Sequence, residues 1–543
     1  MLRVNRLNHG SPDNRMSLKH WLLPASIGCC LLIRGIPAAA ADGAWFGIEM
    51  PEKRSARAAQ LDAAYRTPDF PSLSLPAPPA GDRYADIRGA QLLAFLQDIV
   101  QLTHRHRPRD EPYWGRIAGT AAELAAADYV LQRFGEFGLQ DTRSESVEGG
   151  PQWWPESWSV TLLANPAYGK ATADYSLSSA FPALQLGGAP LAVDALEAEL
   201  IYVGSAHAVD LLGRDLRGKI AVVHARLQPD TFFQSARGHV DAVIEAGAVA
   251  VITVMDAPGN HQYALEDMGP PEVPCLILGG DDGRFLLDVI AAAGRSPPPR
   301  MRIAMKTAVR ESWSGRNVVG IVPGTGSEYV IVLAHLDGYF ESANDNGGGL
   351  ASLLALAQHY SRADAPRMRR NLLFLATSGH HEVSDGARSF IEDHPEILAN
   401  TAVVMNIEHP ASVMSYYRGP LRFKNMSVPG QLSATNTLGT RSLTVSNDNA
   451  LLKNLYRAAV DRHGLVIDAL IERRPPSGDA YDFFKARQVV VQILDSSIWY
   501  HSSGDRMESI PPVGLERATR VYAEVLDGID RHERAELVRR GGP

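Results

Sequence analysis

Four short stretches carry side chains suited to holding metal ions. His335-Leu336-Asp337 sets an imidazole and a carboxylate two residues apart, just after an apolar run. Asp345 stands before the glycines Gly347, Gly348 and Gly349 at the start of a helical pattern. Glu408 follows the apolar run 402–407, and His501 lies in Trp499-Tyr500-His501-Ser502-Ser503-Gly504-Asp505. Two imidazoles, a carboxylate placed to bridge and a terminal carboxylate make a mixed nitrogen and oxygen donor set. Such a set suits borderline divalent ions, with zinc as the default. Two cations about 3.5–4 Å apart polarise a carbonyl and lower the pKa of a bridging water, which becomes the nucleophile. Asp337 can orient the His335 ring from behind. Any one of these residues alone is weak evidence, because the chain holds 17 histidines and chance placement is easy. What sets them apart is their order and their positions just after strand-like runs.

Those positions require strands that end on one side of a sheet. From residue 316 onward, short apolar runs at 318–322, 330–334, 370–377, 401–407 and 489–494 alternate with helical patterns at 347–360, 387–391, 449–463 and 513–531. Strands alternating with helices predict an α/β fold, a three-layer sandwich with a central mixed sheet flanked by helices. In such folds the site collects at the carboxyl ends of the strands. Upstream, the spacing of Leu92, Leu93, Phe95, Leu96, Ile99 and Val100 predicts one helix. Thr120-x-x-Glu123 predicts the capped start of a second. Residues 151–312 change character, with strand-like runs at 198–203, 218–223 and 248–254 and a helical stretch at 239–246. They read as a β-rich domain inserted into the α/β domain, which comprises 88–150 and 313–543. Trp153, Trp154 and Trp158 are expected in core or interdomain packing. Residues 42–87, rich in Ala and Pro, read as an extended lead-in.

The composition is that of a globular protein: 45% hydrophobic, 21% charged, net charge −8, which gives no reason to expect nucleic acid or an anionic membrane as partner. Arg3, Arg6, Arg15 and Lys19 precede the apolar run 21–33, and small residues come after it at 38–41. Residues 1–41 therefore read as a signal peptide, with Met16 as a second possible start. The apolar run is shorter than the roughly 20 residues of a spanning helix. The expectation is an exported protein, periplasmic or extracellular, free of the membrane after cleavage. Cys29 and Cys30 lie in the signal, so the mature chain keeps Cys275 alone, in the apolar run 273–278. A buried thiol and no internal disulfide are expected, with stability resting on a large core.

The run Asn317-Val318-Val319-Gly320-Ile321-Val322-Pro323-Gly324, then Ala334-His335-Leu336-Asp337, then Asn344-Asp345-Asn346-Gly347, resembles the co-catalytic zinc exopeptidases. That family includes bacterial leucyl aminopeptidases, aminopeptidase Y and glutamate carboxypeptidase. Met405-Asn406-Ile407-Glu408 and Tyr500-His501-Ser502-Ser503-Gly504-Asp505 match its later ligand motifs. The resemblance covers roughly 88–150 and 313–533. Residues 160–310 resemble a protease-associated domain through the less specific runs 218–223, 246–252 and 273–278, with Val273 where such domains often have Ile.

The resemblance implies two zinc ions, a peptide substrate and removal of a terminal residue, by an aminopeptidase more readily than a carboxypeptidase. It implies that His335 and His501 each hold one metal, that Asp345 bridges, that Glu408 is a terminal ligand and that Asp337 supports His335. At one place the chain departs from the family, which has two adjacent glutamates after its next strand, a general base and a metal ligand. Anchoring on Gly386-Ala387-Arg388-Ser389-Phe390 puts His380 and His381 there. His381 can still ligate, which leaves five protein ligands with one negative charge fewer. His380 can act as a base through a water. A one-residue slip instead brings Glu382 into either role. Two rival readings stand beside this one: a binding or scaffolding protein with an inactive peptidase-like domain, and an amide hydrolase or cyclase with a changed reaction. Specificity is expected in the loops 415–440 and 473–481 and in the insert, with Tyr416, Tyr417 and Arg418 stacking there.

Overall fold

Alternation of apolar side chains along the strands builds the centre of the molecule. In the strand Tyr329–His335, Val330, Val332 and Ala334 face one helical layer, while Ile331 and Leu333 face the other. Successive side chains of a strand point to opposite faces, so a strand apolar at every position must be covered on both. The computed structural model describes residues 45–54, 56, 77–79, 81–109, 111–165, 173–225, 237–255, 257, 259–266, 270, 272–294, 297–411, 413–418, 421–423, 426–428, 431–438, 441–465, 469–471, 475–495 and 497–541. The expected signal at 1–41 lies outside them.

In chain order the elements used below are helices α1 (Gly89–Arg105) and α2 (Ala121–Glu136) and strand β1 (Gln140–Gly149). Then come β2 (Gln152–Leu162), β3 (Ala192–Tyr202), β4 (Ile220–Ala225), β5 (Ala250–Met255), β6 (Cys275–Leu278), α3 (Gly280–Ala293) and β7 (Arg300–Arg310). They are followed by β8 (Trp313–Val322), β9 (Tyr329–His335), α4 (Gly349–Ser361), β10 (Asn371–Thr377), α5 (Asp385–Asp393) and β11 (Thr401–Ile407). The last are β12 (Arg441–Val445), α6 (Ala450–His463), β13 (Ala469–Ile471), α7 (Asp479–Lys485), β14 (Val490–Asp495) and α8 (Pro512–Asp530).

The first sheet has eight strands in the order β1-β8-β10-β9-β11-β14-β12-β13. Its middle is parallel, β10 and β11 both pairing with β9 and β14 pairing with β11. The pairs β1/β8, β8/β10 and β12/β14 are antiparallel, so the sheet is mixed. Helices α1, α2, α4, α6 and α8 cover one face and α5 and α7 the other, which gives the three layers. Helix α1 shows why: Leu92, Phe95, Leu96, Ile99 and Val100 are buried at helical spacing along one stripe. The parallel strands β9, β10, β11 and β14 necessarily end on one side, and residues 335, 378–381, 408–409 and 497–505 lie at or just beyond those ends.

A second eight-stranded sheet is built wholly from residues 152–310, with strands β3, β4, β5 and β6 parallel. Helix Arg237–Glu245 stands close to the helical stretch expected at 239–246, and α3 is a further helix that was not expected. Two further expectations change. Part of the lead-in is helical rather than extended, with a turn at Trp45–Gly47, and Trp45 is buried with its ring edge-on to Phe285 in the second core. Most of 415–440 is strand, Val413–Arg418 pairing with Gln431–Leu438, so Tyr416, Tyr417 and Arg418 lie on a strand. Residues 43–543 cluster as one unit. Trp153 and Trp154 are buried with Tyr113, Trp114, Phe181, Tyr339 and Phe340, an aromatic cluster drawn from both parts of the chain. Cys275 is buried on β6, and burial pushes its thiol up to about 12. No described helix is long and apolar enough to cross a membrane.

Candidate metal centre

Asp345 is the hub. It sits in the wide turn Ala343–Gly348 before α4, 3% exposed, and Asp505 fixes that turn by accepting from the amides of Asn344 (2.8 Å) and Asp345 (3.0 Å). Its Oδ1 lies 3.1 Å from His335 Nε2 and 2.9 Å from His409 Nε2. Its Oδ2 lies 3.1 Å from His501 Nε2 and 3.9 Å from His381 Nε2. Glu408 Oε1 lies 3.8 Å from His409 Nε2, while its Oε2 accepts from the amides of Asn406 (2.7 Å) and Gln492 (3.0 Å). The structure therefore brings His335, Asp345, His381, Glu408 and His501 into one buried cluster.

Asp337 serves two purposes. Its backbone carbonyl lies 3.0 Å from His335 Nδ1 and fixes that ring, so that Nε2 faces Asp345. Its carboxylate accepts from the amides of His380 (3.1 Å) and His381 (2.9 Å), which holds the turn after β10. The two histidines of that turn diverge. His381 points its Nε2 toward Asp345, whereas His380 stacks on His335 with ring centroids 3.8 Å apart. His380 Nδ1 lies 3.1 Å from Asp479 Oδ1, and its Nε2 lies 3.7 Å from Glu408 Oε1. Gly478 makes this possible: at φ +60°, a Cβ there would stand 2.3 Å from His380 Cε1. Glu382 is placed differently from the other named residues. Its Oε1 accepts from Gln152 Nε2 (2.9 Å) on β2, and it belongs to none of the donor groups among the described residues.

Charge follows geometry. Burial alone would lower the His335 ring, but Asp337 and Asp345 overcome it and raise it to about 10. Burial likewise opposes charge on His409, and Asp345 carries it up to about 9. Burial would raise Asp345, yet His409, His335 and His501 hold it well below the usual carboxylate range. His501 goes the other way: burial lowers it, and Asp345 only partly compensates. Burial also opposes charge on His380, as does His335, but Asp479 and Glu408 raise it to about 9.

Three residues outside the sequence expectations shape the site. His409 takes φ +46°, and that turn brings its ring back to Asp345. Glu266, from the 152–310 segment, sits against the outer nitrogens of His381 and His501. Arg116 is fully buried and donates to the carbonyls of Leu336 (2.9 Å), Glu341 (2.9 Å) and Ser342 (3.0 Å), pinning the loop between β9 and Asp345. A histidine directly after a ligand candidate is a readable hint for His409. Nothing local marks the other two. Thr120 and Glu123 form the expected helix start in altered form, with Glu123 Oε2 accepting from Gly119 N (2.6 Å) rather than from Thr120 N.

The donor chemistry fits zinc. Atoms sharing a tetrahedral zinc at about 2.0–2.1 Å stand about 3.3 Å apart. The nitrogen-to-Asp345 separations of 2.9, 3.1, 3.1 and 3.9 Å bracket that value. His335 Nε2, His381 Nε2 and His501 Nε2 are buried and make no hydrogen bond among the described residues, an arrangement costly for polar nitrogens without an electrophile to face. His335, Glu408 and His409 form one donor group near Asp345 Oδ1 and His381 and His501, with Glu266, another near Oδ2, while His335 and His381 also group with Asp337.

Fold and donor set together define a zinc metallopeptidase. Residues 317–526 match Peptidase family M28. Among solved structures, the peptidase M28 precursor from Shewanella amazonensis SB2B is similar at 18% identity and TM-score 0.59, over 81% of this chain and 96% of that one. BSAP, a zinc aminopeptidase from Bacillus subtilis, is similar at 17% identity and TM-score 0.55, over 80% and 94%. At such identities these are likenesses of fold. No curated protein sequence matches the chain.

Proposed function

We propose that this protein is a two-zinc exopeptidase that removes a terminal residue from peptides, and specifically an aminopeptidase. One observation carries the reading: four imidazole Nε2 atoms converge on the two oxygens of one buried carboxylate, Asp345. His335, His409, Glu408 and Asp345 Oδ1 would hold one ion; His381, His501 and Asp345 Oδ2 would hold the other, with a position left for water or substrate. Zinc bound there supplies Lewis acidity, polarising the scissile carbonyl and lowering the pKa of water. Proton handling falls to His380. Asp479 orients its Nδ1–H and would steady the imidazolium; cations bound beside the ring would disfavour the charge it carries without them, leaving Nε2 able to accept a proton from water, as in the His–Asp part of a catalytic triad. This replaces the glutamate base of the family by a histidine. Preference for the amino terminus rests on the fold likeness to a zinc aminopeptidase, which is analogy. We also take 151–312 as a protease-associated-like insert and 1–41 as an export signal.

The test is hydrolysis of aminoacyl nitroanilides, free dipeptides, and peptides blocked at one end, by metal-free and zinc-loaded protein. Zinc-dependent cleavage abolished by N-terminal acetylation is expected. Cleavage abolished only by C-terminal amidation would overturn the aminopeptidase assignment, and no zinc-dependent cleavage of any peptide would overturn the peptidase one. A second reading, a metal-holding binding protein, is favoured by one feature: neither 380 nor 381 is a glutamate, and Glu382 is tied to Gln152. Stoichiometric zinc with no hydrolysis would select it.

A further inference from the structure

We propose that Glu266, carried by the 152–310 segment, is a positioning residue for both His381 and His501, so that this segment completes the metal centre. The inference rests on the zinc reading above and goes beyond it by assigning a role to a part of the chain outside the matched region.

One oxygen does the work. Glu266 Oε1 lies 3.3 Å from His381 Nδ1 and 4.0 Å from His501 Nδ1, and it accepts the hydroxyl of Tyr339 at 2.8 Å. Each of these rings has its other nitrogen, Nε2, facing Asp345 Oδ2. A carboxylate on Nδ1 keeps the proton there, which leaves the Nε2 lone pair for a metal and raises its basicity. His335 gets the same service from Asp337 two residues away. Among the described residues of their own loops His381 and His501 have no such neighbour, and Glu266 supplies it from the segment between β5 and β6.

The backbone places Glu266 deliberately. Residues 262–264 lie along the His501 loop: Ala264 N donates to His501 O (2.8 Å) and Ser503 N donates to Gln262 O (2.9 Å), with Tyr263 and Ser502 forming a bridge pair. Buried Tyr263 adds a hydrogen bond from its hydroxyl to Ile498 O (3.2 Å). The same short stretch thus docks the loop and, at Glu266, touches both rings. Charge gives the reason. With histidine at 381, the donor set around Asp345 lacks one carboxylate of the family pattern, and Glu266 returns a negative charge one bond network further out.

The test uses the full chain and its Glu266→Gln variant. Zinc affinity is measured by competition with a chromophoric chelator, and zinc stoichiometry by elemental analysis. Wild-type protein is expected to bind zinc in two steps. Glu266→Gln should weaken one step by about 10–100-fold and leave the other within about threefold. Unchanged affinity for both steps in a folded variant would overturn the proposal. A wild-type chain that binds no zinc would instead remove the metal reading itself, so the two failures are distinguishable. Should Glu266→Gln fail to fold, the wild-type zinc complex decides by crystallography. Zinc on Nε2 of both rings, with Glu266 against Nδ1, supports the proposal; zinc on Nδ1, or Glu266 bound directly to zinc, overturns it.

Discussion

The two sides of Asp345 are held by different parts of the chain. On one side His335 is fixed by Asp337, and Glu408 by Asn406 and Gln492, all on or beside strands of the first sheet. On the other, His381 and His501 come from turns and lean on Glu266, from the segment between β5 and β6. The first half is built from contacts within one sheet, on or beside its parallel strands. The second depends on docking between sheets. Precision in this centre therefore has two sources, and they can fail separately.

The largest effect should come from the residue both halves share. Asp345→Asn is expected to lower activity by roughly 10³-fold or more and to deplete zinc on both sides. Retention of two tightly held zinc ions in that variant would break the hub assignment. His380→Ala comes next: kcat should fall by about 10²–10⁴-fold while zinc content stays at the wild-type level. Full activity in that variant would assign the proton to another group. Gly478→Ala pushes on the same ring from behind. A Cβ at φ +60° and 2.3 Å from His380 Cε1 should lower kcat by about tenfold and stability by about 1–3 kcal/mol. Wild-type kinetics there would show that the His380 position does not matter.

The smallest effect concerns Glu382, which faces the second sheet rather than the metals. Burial, with Glu266 and Asp337 adding to it against the Gln152 hydrogen bond, raises this carboxyl from 4.5 to about 8. Between those values the folded chain keeps a proton that the unfolded chain has released, so its contribution to stability declines as pH rises through that window. Glu382→Gln should remove this decline. Urea unfolding of the metal-free proteins at pH 5 and pH 8 measures it, and parallel losses in wild type and variant would sink the assignment.

Much of this was readable in the residues and some was not, for physical reasons. The strands β9, β10, β11 and β14 announce themselves because a strand buried on both faces is apolar at every position. Their parallel order then dictates that the loops leaving their carboxyl ends meet on one side of the sheet. His335, Asp345, Glu408 and His501 were legible by that route. The edge strand β13 and its neighbour β12 carry no such run, and the hairpin within 413–438 reads as loop. His409 depends on a positive φ that no pattern announces. Glu266 is the clearest case: its role exists only once two sheets have docked, and no periodicity along the chain encodes that. Glu382 was drawn toward the metals by its place in the sequence, but the turn after β10 sends it to Gln152.

The pairing of Tyr263 with Ser502 has a consequence for when the protein becomes active. The partners of this short ladder are separated by most of the first sheet, and closing so long a loop is entropically unfavourable until both sheets exist to reward it. By that argument His501 is expected to reach its working position late in folding, once strand β14 has joined the sheet and the earlier segment has formed. Partly folded chains would hold the His335 half of the centre without the other, leaving catalytic competence as the last property the chain acquires.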